Sequence, residues 1–465
     1  MAKKLFAVIL AALMVLSLAA CNSSTGKPEE TEAQTTEAAK EEKTEAAKED
    51  TTEAAKDDTT AAPKDGVIEL TFDWWGNDAR HEATLKAIDL FNETHDNIHV
   101  TCEYMAWDGF WDKMPVLSAS NALPDVLQMD SAYIHTYVDN GVLADITDKI
   151  DLTDIMTQDQ IDIYKIDNVL YGAPVGTNGC GFTYVKSTLD KYGIPYPTPG
   201  WTWDEFTAWA KDAASKLPDG VWVMGDPRGN AYESMQNYVE SKYNVKILGF
   251  DGSFNFDAEQ CKEFFNYWQD MADAGVVPPA QQNMSMTDGD ATSDGWINGS
   301  LLLRSSNIGN VNMEIDLFPE EVRTDIGVCS QPVGDYGAQW YQSTMFYCVA
   351  ENSPNKEAAV ELIKWIVSDI EAGKILQTVR GMPVSNEVYE AIEPDLTVSQ
   401  RVAKELQDVV APYATAYWNN TPNDYADWVN EFKANGEAIM LGEMTVDEVA
   451  EHLAVSGQQI YDDLH

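Results

Sequence analysis

Few of the usual markers of catalysis or of charged partners occur in this sequence. Six cysteines are spread over 465 residues, at positions 21, 102, 180, 261, 329 and 348, with no Cys-x-x-Cys spacing. That pattern argues against a disulfide framework and against a zinc site, although Cys329 and Cys348 both lie in strand-like runs and a pairing between them stays open. Positive charge is scarce: 30 Lys and Arg stand against 77 Asp and Glu, a net charge of −47. Nucleic acid and anionic membrane surfaces both demand basic patches, so neither is an expected partner. The six histidines are scattered without metal-ligand spacing, and no GxSxG, HExxH or P-loop motif is present. Asp288, Asp290 and Asp294 share one loop, TDGDATSDG, but it lacks the Gly at position six and the Glu at position twelve of a calcium loop. No metal and no cofactor is therefore assigned. After Cys21 there is no long apolar run, so no later segment is expected to span a membrane.

What is there begins with MAKKLFAVILAALMVLSLAAC. Lys3 and Lys4 precede an apolar stretch from Leu5 to Leu18. That is short of the roughly 20 residues needed to cross a bilayer, and it suits the h-region of a signal peptide. Leu18-Ala19-Ala20-Cys21 resembles the bacterial lipobox, which implies cleavage after residue 20 and a lipid on Cys21. Residues 21–65 then form an acidic low-complexity tether with the loose repeat TEAAKEEKTEAAKEDTTEAAKDDTT. Almost nothing in it can be buried to offset ordering entropy, so it reads as a spacer, partly helical where the repeats allow.

The remaining residues, about 400, are too many for one ordinary core, and two lobes are expected. VIELTFDWW reads as a strand, followed by a helix whose apolar stripe is Ala83, Ala87, Leu90 and Phe91. IHVTCEYM, a helix over 109–119, DVLQMD and a helical stretch near 133–140 continue a β-α-β-α-β order, the pattern of a mainly parallel α/β sheet. Further helices are expected over 257–275, 354–369 and 445–464, one opens at Thr202 or Asp204, and short strands are expected at 301–303, 326–333 and 344–350.

Taken in order and spacing, several segments resemble the family 1 extracellular solute-binding proteins of ABC importers, the group that includes the maltose-binding proteins. They are TFDWWGNDARHEATLKAIDLFNETHDNIHV, ALPDVLQMD, NGVLADITD, LYGAPVGTNGCGFTYVKSTLDKYGIPYPTPGWTWDEF, SPNKEAAVELIKWI, RGMPVS and GEMTVDEVAEHL. The resemblance implies a two-lobe α/β fold of the periplasmic-binding-protein type (type II), with a ligand cleft between lobes joined by hinge segments. Lobe 1 is placed at 67–176 plus 326–350 and lobe 2 at 180–323 plus 353–465, with crossings near Thr177 to Gly179, near Thr324 and near Glu351. It further implies a carbohydrate ligand, membrane permease subunits as partners, a monomer, and no catalysis.

Sugars offer flat C–H faces edged with hydroxyls, so aromatic platforms and planar polar side chains are sought at turns. Trp75, Asn77 and Asp78 sit at the C-terminal end of the first strand, the edge ligands favour in open α/β sheets and a turn the family uses for ligand contact; Asp78 could equally cap the next helix. Trp107 and Asp108 follow the second strand, with Asp108 a ligand group or a cap. Asp130 ends the DVLQMD strand as a hydroxyl acceptor or a solvated cap. Asn178 lies at the first crossing, where the maltose-binding proteins carry a sugar-contacting polar residue. Arg304 follows the LLL strand at a position often aromatic in the family. Trp340, in the loop GDYGAQWYQ, reads as an exposed stacking platform. Trp418 and Trp428, which flank NTPNDYAD, are read as the platform of the other lobe, and Arg380 in RGMPV is either structural or a ligand contact. Trp201 and Trp203 are read as braces of their helix and Trp268 as core.

A secreted glycoside hydrolase with two carboxylates across a cleft is the competing class. A sensing or adhesion subunit is a third. The expected lipid anchor and tether favour capture beside a transporter.

Overall fold

Among the described residues, β-branched and aromatic residues flanked by turns give nine strands, in chain order β1 (Ile68–Trp75), β2 (Ile98–Met105), β3 (Val126–Asp130), β4 (Gly172–Pro174), β5 (Thr177–Val185), β6 (Leu303–Asn307), β7 (Ile326–Cys329), β8 (Tyr341–Ser343) and β9 (Met345–Val349). The computed structural model describes residues 66–229, 232–286, 292–415, 417–418 and 420–465. The leader, Cys21, the tether, Asp288 and Asp290 lie outside them. Among the described residues no helix is long and apolar enough to cross a membrane.

The first sheet has the order β2-β1-β3-β9-β4. β1 runs parallel to both β2 and β3, pairing Trp75 with Met105 and Phe72 with Val126. The connections that allow this are the helices Asp78–Thr94 and Trp107–Ala119. The C-terminal ends of β1, β2 and β3 therefore share one edge. β9 returns antiparallel, with Met345 opposite Asp130, and β4 completes the sheet. On the helix Asp78–Thr94 the buried face is Thr84, Ala87, Ile88 and Phe91, one step round from the expected stripe. Thr84 goes inward because its hydroxyl donates to the Arg80 carbonyl and accepts from buried Arg380.

The second sheet is built on β5. Its C-terminal half lies between β6 and β7, and its N-terminal half pairs with β8, Thr177 opposite Ser343. The helix Ala258–Asp273 carries the expected apolar stripe, burying Cys261, Phe264, Phe265, Trp268 and Met271, and starts at Asp257 through a capping box with Gln260. Helices Trp203–Ala214 and Val446–Leu464 start in the same way, at Thr202 with Glu205 and at Thr445 with Glu448.

Two expected allotments are redrawn. β7 belongs to the second sheet, so the chain makes no crossing near Thr324. The helix Lys356–Ser368 packs on β9, β4 and β1, so the chain stays with the first sheet past Glu351. The chain instead passes between the sheets at Val175–Gly176 and at Thr344, and returns again before the helix Val398–Val410, which packs on β5 and β7. The two strand crossings are tied together: Thr344 N–H donates to Gly176 O at 2.9 Å and Val175 N–H to Met345 O at 3.0 Å. Cys329 and Cys348 sit in different sheets, and both are free thiols.

Asp73 shows how burial competes with pairing in the first sheet. It is 5 % exposed and holds the Lys113 ammonium at 3.0 Å, but Lys113 is shared with Glu103 at 2.8 Å. Burial outweighs the ion pair and pushes the carboxyl up to about 6. Because the folded value lies above the unfolded one, this group's contribution is complete below about pH 4 and is lost as pH rises through 6. Asp73→Asn removes that dependence. Urea unfolding at pH 4.5 and 7 should show the variant gaining about 2 kcal/mol on the parent across the interval. A constant difference would mean that Asp73 ionises normally.

Candidate functional site

The edge where β1, β2 and β3 end carries a cluster of aromatic rings. Trp75 packs against Trp107, Phe110 and Trp111 with centroids 5.1–5.5 Å apart, and Trp111 meets Tyr133 at 4.1 Å. Trp75 itself is 5 % exposed, whereas Trp107 is 40 % exposed. Asn77 is the N-cap of its helix, its Oδ1 accepting from Arg80 N–H at 3.0 Å, and Asp78 is an exposed residue of the first turn, as is Asp108 in the next helix. Asp130 accepts from Ala132 N–H at 2.8 Å and its carboxyl is raised by burial. The structure thus gathers Trp75, Trp107, Asn77, Asp78, Asp108 and Asp130 along one sheet edge. Asn178 stands at the crossing from the other side, where its Oδ1 receives Gly309 N–H at 3.0 Å.

The remaining candidates are elsewhere and have other work. Arg304 is in β6 instead of a polar loop, and it pairs with Asp294 and, at 3.1 Å, with Glu314. Trp340 is 2 % exposed, not a loop platform; its indole N–H donates to Glu233 at 2.7 Å. Trp428 is 1 % exposed within the second core and donates to Leu453 O at 2.9 Å, which replaces its reading as a platform. Arg380 is 4 % exposed behind the first sheet, bound to Gln128 and Thr84.

A cavity of about 540 Å³ lies beside this edge, and of the residues singled out from sequence it is lined by Trp418 alone. The segment after Asp130 leads into it. Tyr133 packs on Trp111, and two residues later His135 stacks on Phe250 at 4.0 Å and meets Trp418 edge-on at 5.5 Å. Trp418 is 7 % exposed, lies over Phe346 of β9 at 5.6 Å, and donates to Ile163 O at 2.8 Å. Its carbonyl receives Gln236 and Lys246 from the other sheet's helices and loops. Asp139, Asp167 and Asp251 supply acceptors to the lining, and Lys165, Lys246 and Ser253 supply donors. Burial lowers His135 to about 4, so the ring is neutral at pH 7 and acts as a flat face with one donor and one acceptor. Lys246 lies 3.7 Å from Glu240; burial lowers the ammonium and raises the carboxyl to about 7. A volume in this range, with aromatic faces and a few convergent polar groups, suits a small solute.

Sequence signals for this lining were slight. Asp167 and Asn168 both have positive φ, 50° and 66°, closing a tight turn in which Ile166 and Val169 pair. An Asp-Asn pair between apolar residues is a turn signal, and it sets Asp167 at a tip facing the cavity.

The family model for bacterial extracellular solute-binding proteins matches residues 86–404, more than half of the chain. Among solved structures, an extracellular solute-binding protein family 1 member from Alicyclobacillus acidocaldarius is similar with a TM-score of 0.74 and 20 % identity, covering 86 % of this chain and 100 % of that one. A periplasmic oligogalacturonide-binding protein from Yersinia enterocolitica is similar at a TM-score of 0.71 and 22 % identity, covering 85 % and 100 %. The sugar-binding protein MalE from Xanthomonas citri is similar at 0.66 and 16 %, covering 85 % and 98 %. At these identities the structures share the fold, while the family match spans both sheets: this chain belongs to the bacterial extracellular solute-binding proteins.

Proposed function

We propose that this chain captures a carbohydrate in the cavity beside the first sheet's C-terminal edge and delivers it to the permease of an ABC importer. The observation that carries the reading is the lining of the 540 Å³ cavity, with stacked and edge-on rings at His135, Phe250 and Trp418 beside three carboxylates. That combination matches a ligand with C–H faces and many hydroxyls. Two proteins that share the fold carry names that state sugar or oligogalacturonide binding. Membership of the family puts the protein outside the cytoplasm. Anchoring through a lipid on Cys21, a monomeric state, the two-lobe division and release of the ligand unchanged are parts of the same proposal. Under it, the ligand stabilises the closed arrangement of the two sheets through contacts to both, and the closed form docks on the permease.

The test is a thermal-shift screen of neutral, amino and acidic mono- and oligosaccharides, followed by tryptophan fluorescence titration. A ligand at 100 times its Kd adds about 2.7 kcal/mol, which reads as a shift of a few degrees. Fluorescence should respond because Trp418 lines the cavity. A sugar recovered cleaved would replace this reading with the hydrolase; a panel without any shift would remove carbohydrate as the ligand class.

A further inference from the structure

Behind the first sheet a buried cation stands without a counter-ion. Arg380 is 4 % exposed, and its two terminal nitrogens bind the uncharged partners Gln128 and Thr84. Its Nε finds no hydrogen-bond partner among the described residues, and neither does the hydroxyl of Tyr347, which is 1 % exposed. Both side chains line one small cavity of about 40 Å³, whose other walls are the amide side chain of Gln377 and apolar groups such as Val175, Leu376 and Val388. The Arg380 guanidinium lies 5.7 Å from the Tyr347 ring. Arg80 is close enough to add like charge, and among the described residues neither arginine stands in an ion pair with a carboxylate. Burying an unpaired cation is costly, and two buried donors left without a partner add to that cost. A water needs roughly 10–15 Å³ of such space, so the cavity has room for a particle of that size or slightly larger. Water, however, offsets none of the charge.

From these observations we infer that the cavity between Arg380 and Tyr347 is a binding site for a small monovalent anion of halide size, held by Arg380 Nε–H and the Tyr347 hydroxyl. The occupant is structural and separate from the captured solute. It neutralises the charge behind β9 and satisfies both donors at once. The site backs onto the strand crossing, because the Arg380 carbonyl accepts from Thr344 Oγ1 at 3.3 Å. Anion occupancy therefore braces the segment against which Gly176 and Thr344 pack.

The experiment uses the full chain, exchanged into gluconate and titrated with sodium bromide or chloride at constant ionic strength. The unfolding midpoint should rise by about 2–3 °C with halide, saturably, and by the same amount whether or not a sugar is present. Crystals soaked in bromide should show an anomalous peak between Arg380 Nε and the Tyr347 oxygen. Tyr347→Phe, which removes only the hydroxyl, should fold and lose at least half of the halide-dependent shift. A midpoint that follows ionic strength alone, or bromide crystals without a peak at this position, would overturn the assignment and leave water in the cavity.

Discussion

Trp418→Ala should cost about 3–5 kcal/mol of stability and weaken ligand binding by about 30- to 100-fold. The ring is 7 % exposed and is held on three sides, by Phe346 of the first sheet, by His135 and by the Ile163 carbonyl. Removing it opens a large void between parts of the molecule that have few other ties there, and it takes away one aromatic wall of the cavity. Two effects are thus superimposed, and Trp418→Phe separates them. Phenylalanine keeps a ring over Phe346 and loses the indole N–H donated to Ile163 and one of the two fused rings, a smaller loss of about 1–3 kcal/mol. Urea unfolding and a titration performed well below each midpoint give the two numbers independently. Parent-like affinity in the alanine variant would move the ligand site away from this cavity.

Gly176→Ala should destabilise the protein by about 2–3 kcal/mol, an unusual penalty for one methyl group. A Cβ at this position would lie 2.8 Å from the Arg380 carbonyl and 2.9 Å from Thr344 Oγ1, with the Met382 carbonyl at 3.3 Å. Two of these are backbone atoms, which have no rotamer by which to move aside. The appropriate control is Gly141→Ala, where φ is +65° but nothing lies within 4 Å. That variant bears backbone strain alone, about 1 kcal/mol. Equal losses at both positions in chemical unfolding would mean that the crossing tolerates a side chain.

The sequence disclosed best whatever is periodic and local. The helix Ala258–Asp273 was legible to the residue in its buried face because its stripe repeats every three or four positions and Asp257 with Gln260 marks the start. β1 and the turn after it were legible because aromatic and β-branched residues alternate up to a glycine. The crossing at Thr344 was not, since YQ was read as the end of a glycine-rich loop and 344–350 as a strand, whereas a single residue divides β8 from β9. Trp340 seemed exposed in a glycine-rich loop; its burial depends on Glu233, 107 positions away. Arg304 lay in a run of small polar residues; its pairing opposite Thr183 of β5 makes it a strand residue, and Asp294 and Glu314 hold its side chain. The cavity was the least legible feature. Its walls come from several short segments, each unremarkable alone, whose meeting depends on tertiary packing.

The ladder across the two crossings has a mechanical meaning. Val175–Gly176 and Thr344 run side by side, each hydrogen-bonded to the other's flank, so these two of the three passages between the sheets form a two-stranded ribbon of hardly more than one residue's length. A ribbon bends and twists easily across its thin direction but resists shear within its plane, where hydrogen bonds would have to stretch. In the proposed closure, rotation of one sheet against the other would therefore have these two crossings turn as one. A flexure of this kind returns to the same alignment after every excursion, without needing a bearing surface to guide it.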